Sequence, residues 1–292
     1  MSAERVDDVA VDESEAPQPA VPPQRRRLAF WRLYRSEVAL MLSRRRNQLG
    51  MLILAAVPIV MAVAIKTSGD DGGLIVSVAN GTVIPMLALM MESAFFLPMA
   101  MSLLAGDAIA GEAHAGTLRY LLITPVGRVR LLAVKFLGLM TGAFLGTFLI
   151  TVVGLVVGLA VFGAGPSMTL SGTSITFAQS LGRVTLMALF LALMMTAVGA
   201  VGLFLSTLVD QPLGVTVGCM VVVILSWLAE ATTQLSWLQP YLLTHWFLQF
   251  TDVLRDPPLW SRAVTGLWVA LGWTAVALVA AWARFTSKDI AS

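Results

Sequence analysis

Two groups of polar residues stand out in an otherwise apolar chain, and they suit different kinds of chemistry. Glu92 lies alone in a hydrophobic stretch, where a carboxylate can attract a cation, take up a proton or accept a structural hydrogen bond from a neighbouring helix. The second group occupies residues 111–128, between two long apolar stretches, and includes Glu112, Arg119 and Arg128. This polar island is expected outside the bilayer, where its side chains can bind another protein.

Catalysis by this chain alone is not expected. No lysine follows a glycine, so the sequence lacks the phosphate-binding loop G-x-x-x-x-G-K-[ST]. The two histidines, His114 and His245, fall on opposite faces of the membrane in the topology given below and cannot share a metal ion. The single cysteine, Cys219, excludes a disulfide framework and a cysteine-based metal site. We therefore predict no catalytic residue, no metal site and no cofactor bound by this chain.

The composition is that of a protein that crosses a membrane several times. Hydrophobic residues make up 58% of the chain and charged residues 12%, with a mean hydropathy of +0.83, whereas soluble chains are about 25% charged. A hydrocarbon core about 30 Å thick requires about 20 apolar residues in a helix. We therefore predict an all-α membrane protein with a transmembrane domain over residues 48–290. Its six spans are expected at about 48–66, 82–106, 131–161, 184–208, 213–230 and 263–284.

The lysines and arginines indicate the orientation. With the N-terminus inside, 15 of the 19 bases fall on the inner face, and the other four are Lys66, Arg183, Arg255 and Arg262. Such an excess of positive charge is typical of cytoplasmic loops. We therefore predict a multi-pass protein of the plasma (inner) membrane, with both termini and the polar island in the cytoplasm.

The residues before the first span divide into a tail and a helix. Residues 1–24 are acidic and rich in proline, which is typical of a disordered segment. Residues 25–47 favour an amphipathic helix on the membrane surface, because apolar side chains recur at helical spacing among arginines that can reach lipid phosphates. The apolar face contains Trp31, Tyr34, Val38, Met41 and Leu42. A basic arm for nucleic acid is the alternative, but the spacing favours lipid, and we predict no nucleic-acid partner.

Residues 231–262 are too interrupted for a span and too apolar for a free loop. Prolines at positions 240, 257 and 258 break the segment, and Trp237, Trp246 and Trp260 make it aromatic. A short re-entrant or interfacial helix at the outer leaflet fits this pattern, with its aromatic residues at headgroup depth.

The polar island contains a specific pattern. It reads Glu112-x-x-x-Gly116-Thr117-Leu118-x-x-Leu121-Leu122-x-x-Pro125-Val126-x-Arg128, with Lys135 at the start of the next span. This pattern resembles the cytoplasmic signature of type-2 ABC exporter permeases, where it lies between the second and third transmembrane helices, as it does here. The six spans, the basic N-terminal helix and the aromatic segment before the last span are also similar to that family.

The resemblance implies that the island docks on an ATPase and transmits its closure. The residues given this coupling role are Asp107, Glu112, Gly116, Thr117, Leu118, Arg119, Pro125 and Arg128. Residues 107–122 can form a short coupling helix on the inner membrane surface, from which Asp107, Glu112 and Arg119 would project toward the cytosol. Gly116 would allow close approach of another backbone, and Pro125 would end the segment. An ordinary amphipathic connector is the alternative.

The partners follow from the same resemblance. ATP and Mg²⁺ would bind to a separate ABC ATPase subunit, two copies of which would pair with two permease chains. A second copy of this chain is the expected permease partner, with a heterodimer as the alternative. Membrane lipid would surround the assembly.

Within the membrane, a substrate pathway is predicted near Glu92. Met91, Phe95 and Phe96 would offer adaptable apolar contacts there, although packing in the core is equally consistent. The third span also carries glycines in one four-residue register, for which we favour packing within the chain. They are Gly138, Gly142, Gly146, Gly154 and Gly158.

These features predict the permease subunit of an ATP-driven exporter that moves a hydrophobic or amphipathic small molecule, such as a drug or antibiotic, out of the cell. A lipid or glycan exporter of the same family is the first alternative. Two further alternatives are a proton-coupled secondary transporter that uses Glu92 and a membrane scaffold that recruits a soluble partner.

Overall fold

A computed structural model describes residues 23–68, 80–114, 116, 128–169 and 171–287. Except for one small hairpin, its regular elements are helices, as predicted for an all-α membrane protein. The acidic tail predicted at 1–24 falls outside the described residues, apart from its last two positions. Five helices are long and apolar enough to cross a membrane, and one bent pair would make a sixth span.

The N-terminal helix and the first span are separate. Helix α1 (Pro23–Ser43) ends before Arg44, and α2 (Arg45–Thr67) begins directly after it. The amphipathic helix predicted at 25–47 is therefore shorter at its C-terminal end, and the first span begins earlier than predicted. A hydrogen bond of 2.6 Å between the Tyr34 and Thr141 hydroxyls links α1 to the third span.

The second span is broken, although one continuous helix was predicted at 82–106. Helices α3 (Val83–Ala94) and α4 (Phe96–Ala108) meet at an angle of 56°. Pro98 explains the break, because it has no N–H for the carbonyl of Ala94 and its ring crowds that carbonyl. A five-residue helix, α5 (Ala110–His114), follows α4 directly.

The third and fourth spans are the longest helices that the structure describes. They are α6 (Arg128–Phe162) and α7 (Phe177–Leu208). Between them, strands β1 (Ser167–Met168) and β2 (Ser174–Ile175) pair antiparallel, with Ser167 opposite Ile175. Helix α7 begins seven residues before the predicted span at 184–208, because Thr176 and Gln179 form a reciprocal capping box at its N-terminus.

The last two spans, α8 (Pro212–Ala231) and α9 (Trp260–Ser287), lie close to their predicted bounds. The segment between them was predicted to be a short re-entrant or interfacial helix, but it is not one continuous helix. It forms four 3₁₀ segments instead, because proline interrupts helical hydrogen bonding. They are Thr233–Leu235, Gln239–Tyr241, Thr244–Trp246 and Gln249–Leu254.

Helix α7 forms the centre of the bundle. Its apolar window is 72% buried, against 17–33% for the windows of the other four unbroken spans, and it packs on α4, α6, α8 and α9. Phe250 of the last 3₁₀ segment and Phe247, which lies just before that segment, are fully buried, so the chain between α8 and α9 closes one end of the core. Most of the remaining helix surface is apolar and exposed, as expected for helices in contact with lipid.

The glycine register of α6 packs within the chain, as predicted. Gly138, Gly142 and Gly146 lie against side chains of α1, α2 and α4. A Cβ atom at Gly154 would lie 2.8 Å from Pro85 Cα, and one at Gly158 would overlap the backbone of Gly81. These two glycines therefore let α6 approach the start of α3 at backbone distance.

Adding one methyl group at Gly158 tests this close packing. We expect Gly158→Ala to lower the free energy of unfolding by about 1–3 kcal/mol, because backbone atoms must move to make room. Gly182→Ala in α7 is the matched control, since no atom of the described residues lies within 4 Å of its new Cβ. This substitution should raise that free energy by about 0.5–1 kcal/mol. Tryptophan fluorescence during SDS unfolding measures both, and equal effects would contradict this packing.

Candidate functional site

Asp107, at the end of α4 on the predicted cytoplasmic side, binds two arginines at the start of the first span. Arg44 Nη1 lies 3.2 Å from Asp107 Oδ2, and Arg46 Nη2 donates to Asp107 Oδ1 at 2.7 Å. The same Arg46 nitrogen also donates to the Leu103 carbonyl at 3.1 Å. The carboxylate is largely buried, whereas both arginines are more exposed. These contacts join the broken second span to the first.

Lys135 forms a second ionic centre beside the first. Its side chain is only 3% exposed, and Nζ donates to both carboxylate oxygens of Glu37 at 2.8 Å. The same ammonium forms an ion pair with Glu112 of α5. Burial raises the pKa of the Glu112 carboxyl above its usual value, and the Lys135 charge opposes this effect. One cation therefore holds α1, α5 and α6 together.

The backbone of the short helix α5 is also held by the bundle. Ser206 Oγ, near the end of α7, accepts hydrogen bonds from the N–H groups of Ile109 and Ala110 at 3.1 and 2.9 Å. One residue before Asp107, a Cβ at Gly106 would lie 2.6 Å from the Pro212 carbonyl oxygen, so α4 approaches the start of α8 closely. A helix of five residues has little stability of its own, so these contacts determine its position.

The predicted coupling residues divide into three groups. Asp107 and Glu112 lie in the ionic contacts, so the expectation that they project toward the cytosol is wrong: cations of α2 and α6 lie close enough to pair with them. Gly116 is exposed and has a positive φ of +69°, and none of the described residues has an atom within 4 Å of the place that a Cβ would occupy. Arg128 begins α6. Thr117, Leu118, Arg119, Pro125 and the side chain of Arg128 lie outside the described residues.

The sequence did not indicate that four residues of this site belong to one ionic network. They are Glu37, Arg44, Arg46 and Lys135. Arg44 and Arg46 were expected to reach lipid phosphates, but they bind Asp107 instead. The available signal was Lys135, a charge inside the predicted span at 131–161, which needs an anionic partner at that depth. Glu37 carried no comparable signal, because an acid on an interfacial helix can face water.

The predicted substrate residues do not share one surface. Met91 and Phe95 are exposed, whereas Glu92 is fully buried, and Phe96 contacts Phe95 edge-to-face at 5.6 Å. Neither carboxylate oxygen of Glu92 has a hydrogen-bond partner among the described residues. The structural hydrogen bond considered for Glu92 is therefore not seen in this part of the chain. Glu92 lies three residues before the break between α3 and α4.

Comparison with known families identifies the architecture. Residues 41–217 match the ABC-2 family transporter protein profile, which is more than half of the chain and extends from the end of α1 into α8. The match includes both ionic centres, except Glu37, and the whole polar island. No curated protein matches the chain significantly. The chain therefore belongs to the ABC-2 family of transporter proteins and is a multi-pass membrane permease of an ABC transporter.

Proposed function

We propose that this permease is an exporter subunit, that its termini lie in the cytoplasm, and that an ABC ATPase docks on residues 107–128. The family implies an ABC ATPase partner. The absence of a phosphate-binding loop from this sequence supports a separate polypeptide as the site of ATP and Mg²⁺ binding. Two ATPase copies and two copies of this chain make the simplest symmetric assembly.

The proposed coupling role rests on one observation: ion pairs attach the segment around α5 to its neighbours at two places. Glu112 reaches α1 and α6 through Lys135, and Asp107 reaches α2 through Arg44 and Arg46. A displacement of α5 and the end of α4 by a docked partner would therefore be transmitted to α1, α2 and α6. Ion pairs that are largely shielded from water resist separation more strongly than exposed pairs.

The exposed glycine beside this network suits docking. Gly116 follows α5 by two residues, and no atom of the described residues lies within 4 Å of the place that its Cβ would occupy. Its positive φ turns the chain away from the helix axis. A partner backbone can therefore approach here, next to the residues that carry the displacement inward.

The proposed cargo is a hydrophobic or amphipathic small molecule. Met91, Phe95 and Met99 are exposed at four-residue intervals across the break in the second span. Thioether and aromatic side chains adapt to apolar ligands of different shape. A lipid or glycan carrier is the alternative cargo within the same family. We assign the pathway to this surface, with Glu92 behind it.

A proton-coupled secondary transporter is the second candidate, and one observation favours it. Glu92 is fully buried at a helix break without a hydrogen-bond partner among the described residues, and such intramembrane carboxylates commonly serve ion pathways. No second broken span accompanies it in the described part of the chain, as a repeat-based transporter would require. This favours ATP-driven transport.

Co-purification tests the proposed function directly. We expect a tagged chain, extracted in mild detergent, to bring down a phosphate-loop ATPase in equal amount, because each permease copy offers one docking segment. Native mass spectrometry measures the ratio. Transport that survives ATP depletion in a proton gradient, without an ATPase partner, would establish the secondary transporter instead. An ATPase partner without any cargo flux would establish the scaffold.

Removing the Lys135 charge tests the ionic attachment. Lys135→Met leaves Glu37 and Glu112 close together without their cation, and breaking a buried pair in this way costs about 3–5 kcal/mol. We expect the variant to insert normally but to lose stimulation of the ATPase by the permease. The double variant with Glu112→Gln should recover part of the stimulation, because it removes one repelling charge.

Lys66→Met is the matched control for this test. Lys66 lies at the opposite end of the first span, and its ammonium is 5.9 Å from the Phe162 ring centroid. The same substitution there should leave ATPase stimulation unchanged. Equal stimulation in Lys135→Met and Lys66→Met would show that the network does not couple the subunits.

Glu92→Gln tests the role of the buried carboxylate. Glutamine keeps the shape but carries no charge, so we expect efflux of the cationic dye ethidium from reconstituted vesicles to fall about tenfold. Ser93→Ala is the control, since the Ser93 hydroxyl donates only within its own helix, to the Met90 carbonyl at 2.8 Å. Unchanged efflux and ATPase stimulation in Glu92→Gln would show that Glu92 is structural.

A further inference from the structure

A large apolar cavity lies between α7, α8, α9 and the outer segment, which is the run of 3₁₀ segments that joins α8 to α9. Its volume is about 230 Å³, whereas two other cavities measure about 30 Å³ each. The α8 side contributes Cys219, Val222, Val223 and Ser226, which follow one another at helical spacing. The opposite wall includes Phe247 and Trp273. The cavity does not include Met91, Phe95 or Glu92, and it is separate from the ionic network.

The few polar groups in the cavity wall already have partners. The Ser226 and Thr244 hydroxyls bond to each other at 2.6 Å, and Trp273 Nε1 donates to the Tyr241 carbonyl at 2.9 Å. A water molecule needs two to four polar partners to occupy a buried site. Among the described wall residues, no side chain offers an unsatisfied polar group, so the cavity suits an apolar occupant.

The cavity opens sideways through the face of the bundle. Val222, Leu225 and Trp273 line it and are exposed, whereas Cys219, Val223 and Phe247 are buried deep in it. All three exposed residues belong to membrane spans, so the mouth meets the hydrocarbon of the bilayer. Beyond its far end, His245 Nδ1 and Glu230 Oε1 lie within hydrogen-bond distance, at 3.1 Å. This polar pair marks headgroup depth at the end of α8.

We propose that the cavity holds an acyl chain of a membrane phospholipid, with the headgroup at the level of Glu230 and His245. A dry cavity of about 150 Å³ already holds a benzene molecule, so this larger one has room for several methylene groups. In the orientation of the proposed function, this headgroup lies in the outer leaflet. The choice of leaflet therefore rests on the proposed function, but the binding of the acyl chain does not. A lipid chain in this position would lie between α8 and α9 and pack against the 3₁₀ segments that join them.

Photolabelling of the full chain in phospholipid vesicles tests the proposal. The probe is a phosphatidylcholine with a diazirine midway along one acyl chain. A bound chain should label buried wall residues such as Cys219 and Phe247, which lipids surrounding the bundle do not reach. Mass spectrometry of the digested protein locates the label.

Two neighbouring substitutions make a matched pair. Val222→Trp should lower labelling of Cys219 and Phe247 about tenfold, because the indole fills the mouth. Val221→Trp adds the same side chain at an exposed position of α8 that does not line the cavity, and labelling should stay at the native level. Both variants change a lipid-facing residue, so a general effect on folding would alter both.

Three results would overturn the proposal. The first is label confined to exposed residues on all spans. The second is equal labelling of the buried wall in the two variants. The third is cross-linking of the cavity to a second copy of the chain in place of lipid. Labelling requires neither ATP nor an ATPase, so it can succeed or fail independently of the co-purification that tests the proposed function.

Discussion

A buried ammonium requires anionic partners, and Lys135 finds them on two separate helices. Glu37 arrives from the surface helix α1 and Glu112 from the short helix α5, so neither helix can shift without exposing or separating a charge. Asp107 imposes the same condition on the start of the first span through Arg44 and Arg46. The arrangement of one end of the bundle therefore depends on charge pairing as well as on apolar packing, which is less directional.

The rest of the bundle makes this pairing possible by keeping α6 close to its neighbours. Its glycine register lets α6 pass α1, α2, α4 and the start of α3 at short range, and the Glu37 side chain lies directly over Gly138, three residues after Lys135. A larger residue there would displace the carboxylate that pairs with the lysine. The small residues and the ionic centre are thus parts of one contact, because close approach brings opposite charges within hydrogen-bond distance.

The spans were predictable because each needs about 20 apolar residues, a constraint that the sequence satisfies plainly. The count of apolar residues did not predict the local interactions that set where helices begin, break and end. Pro98 breaks the second span, the capping box at Thr176 lengthens α7, and prolines interrupt the segment between α8 and α9, which forms 3₁₀ turns. Gly116, Asp107 and Glu112 were singled out through the family resemblance, whereas Glu37 was not, because its partner is 98 residues away in sequence. Long-range ion pairs need the fold to be known first.

The cost of burying a charge explains why the residues predicted for coupling are easier to interpret than those predicted for the substrate pathway. A charge at low dielectric is costly unless paired, so each buried charge implies a specific neighbour. An apolar side chain is satisfied equally by lipid, by a second copy of the chain or by cargo. The exposed stripe at Met91, Phe95 and Met99 therefore permits many ligands, whereas Lys135 permits few partners. Glu92 is the exception within the membrane, since a buried carboxylate also requires a specific neighbour, and none is seen among the described residues.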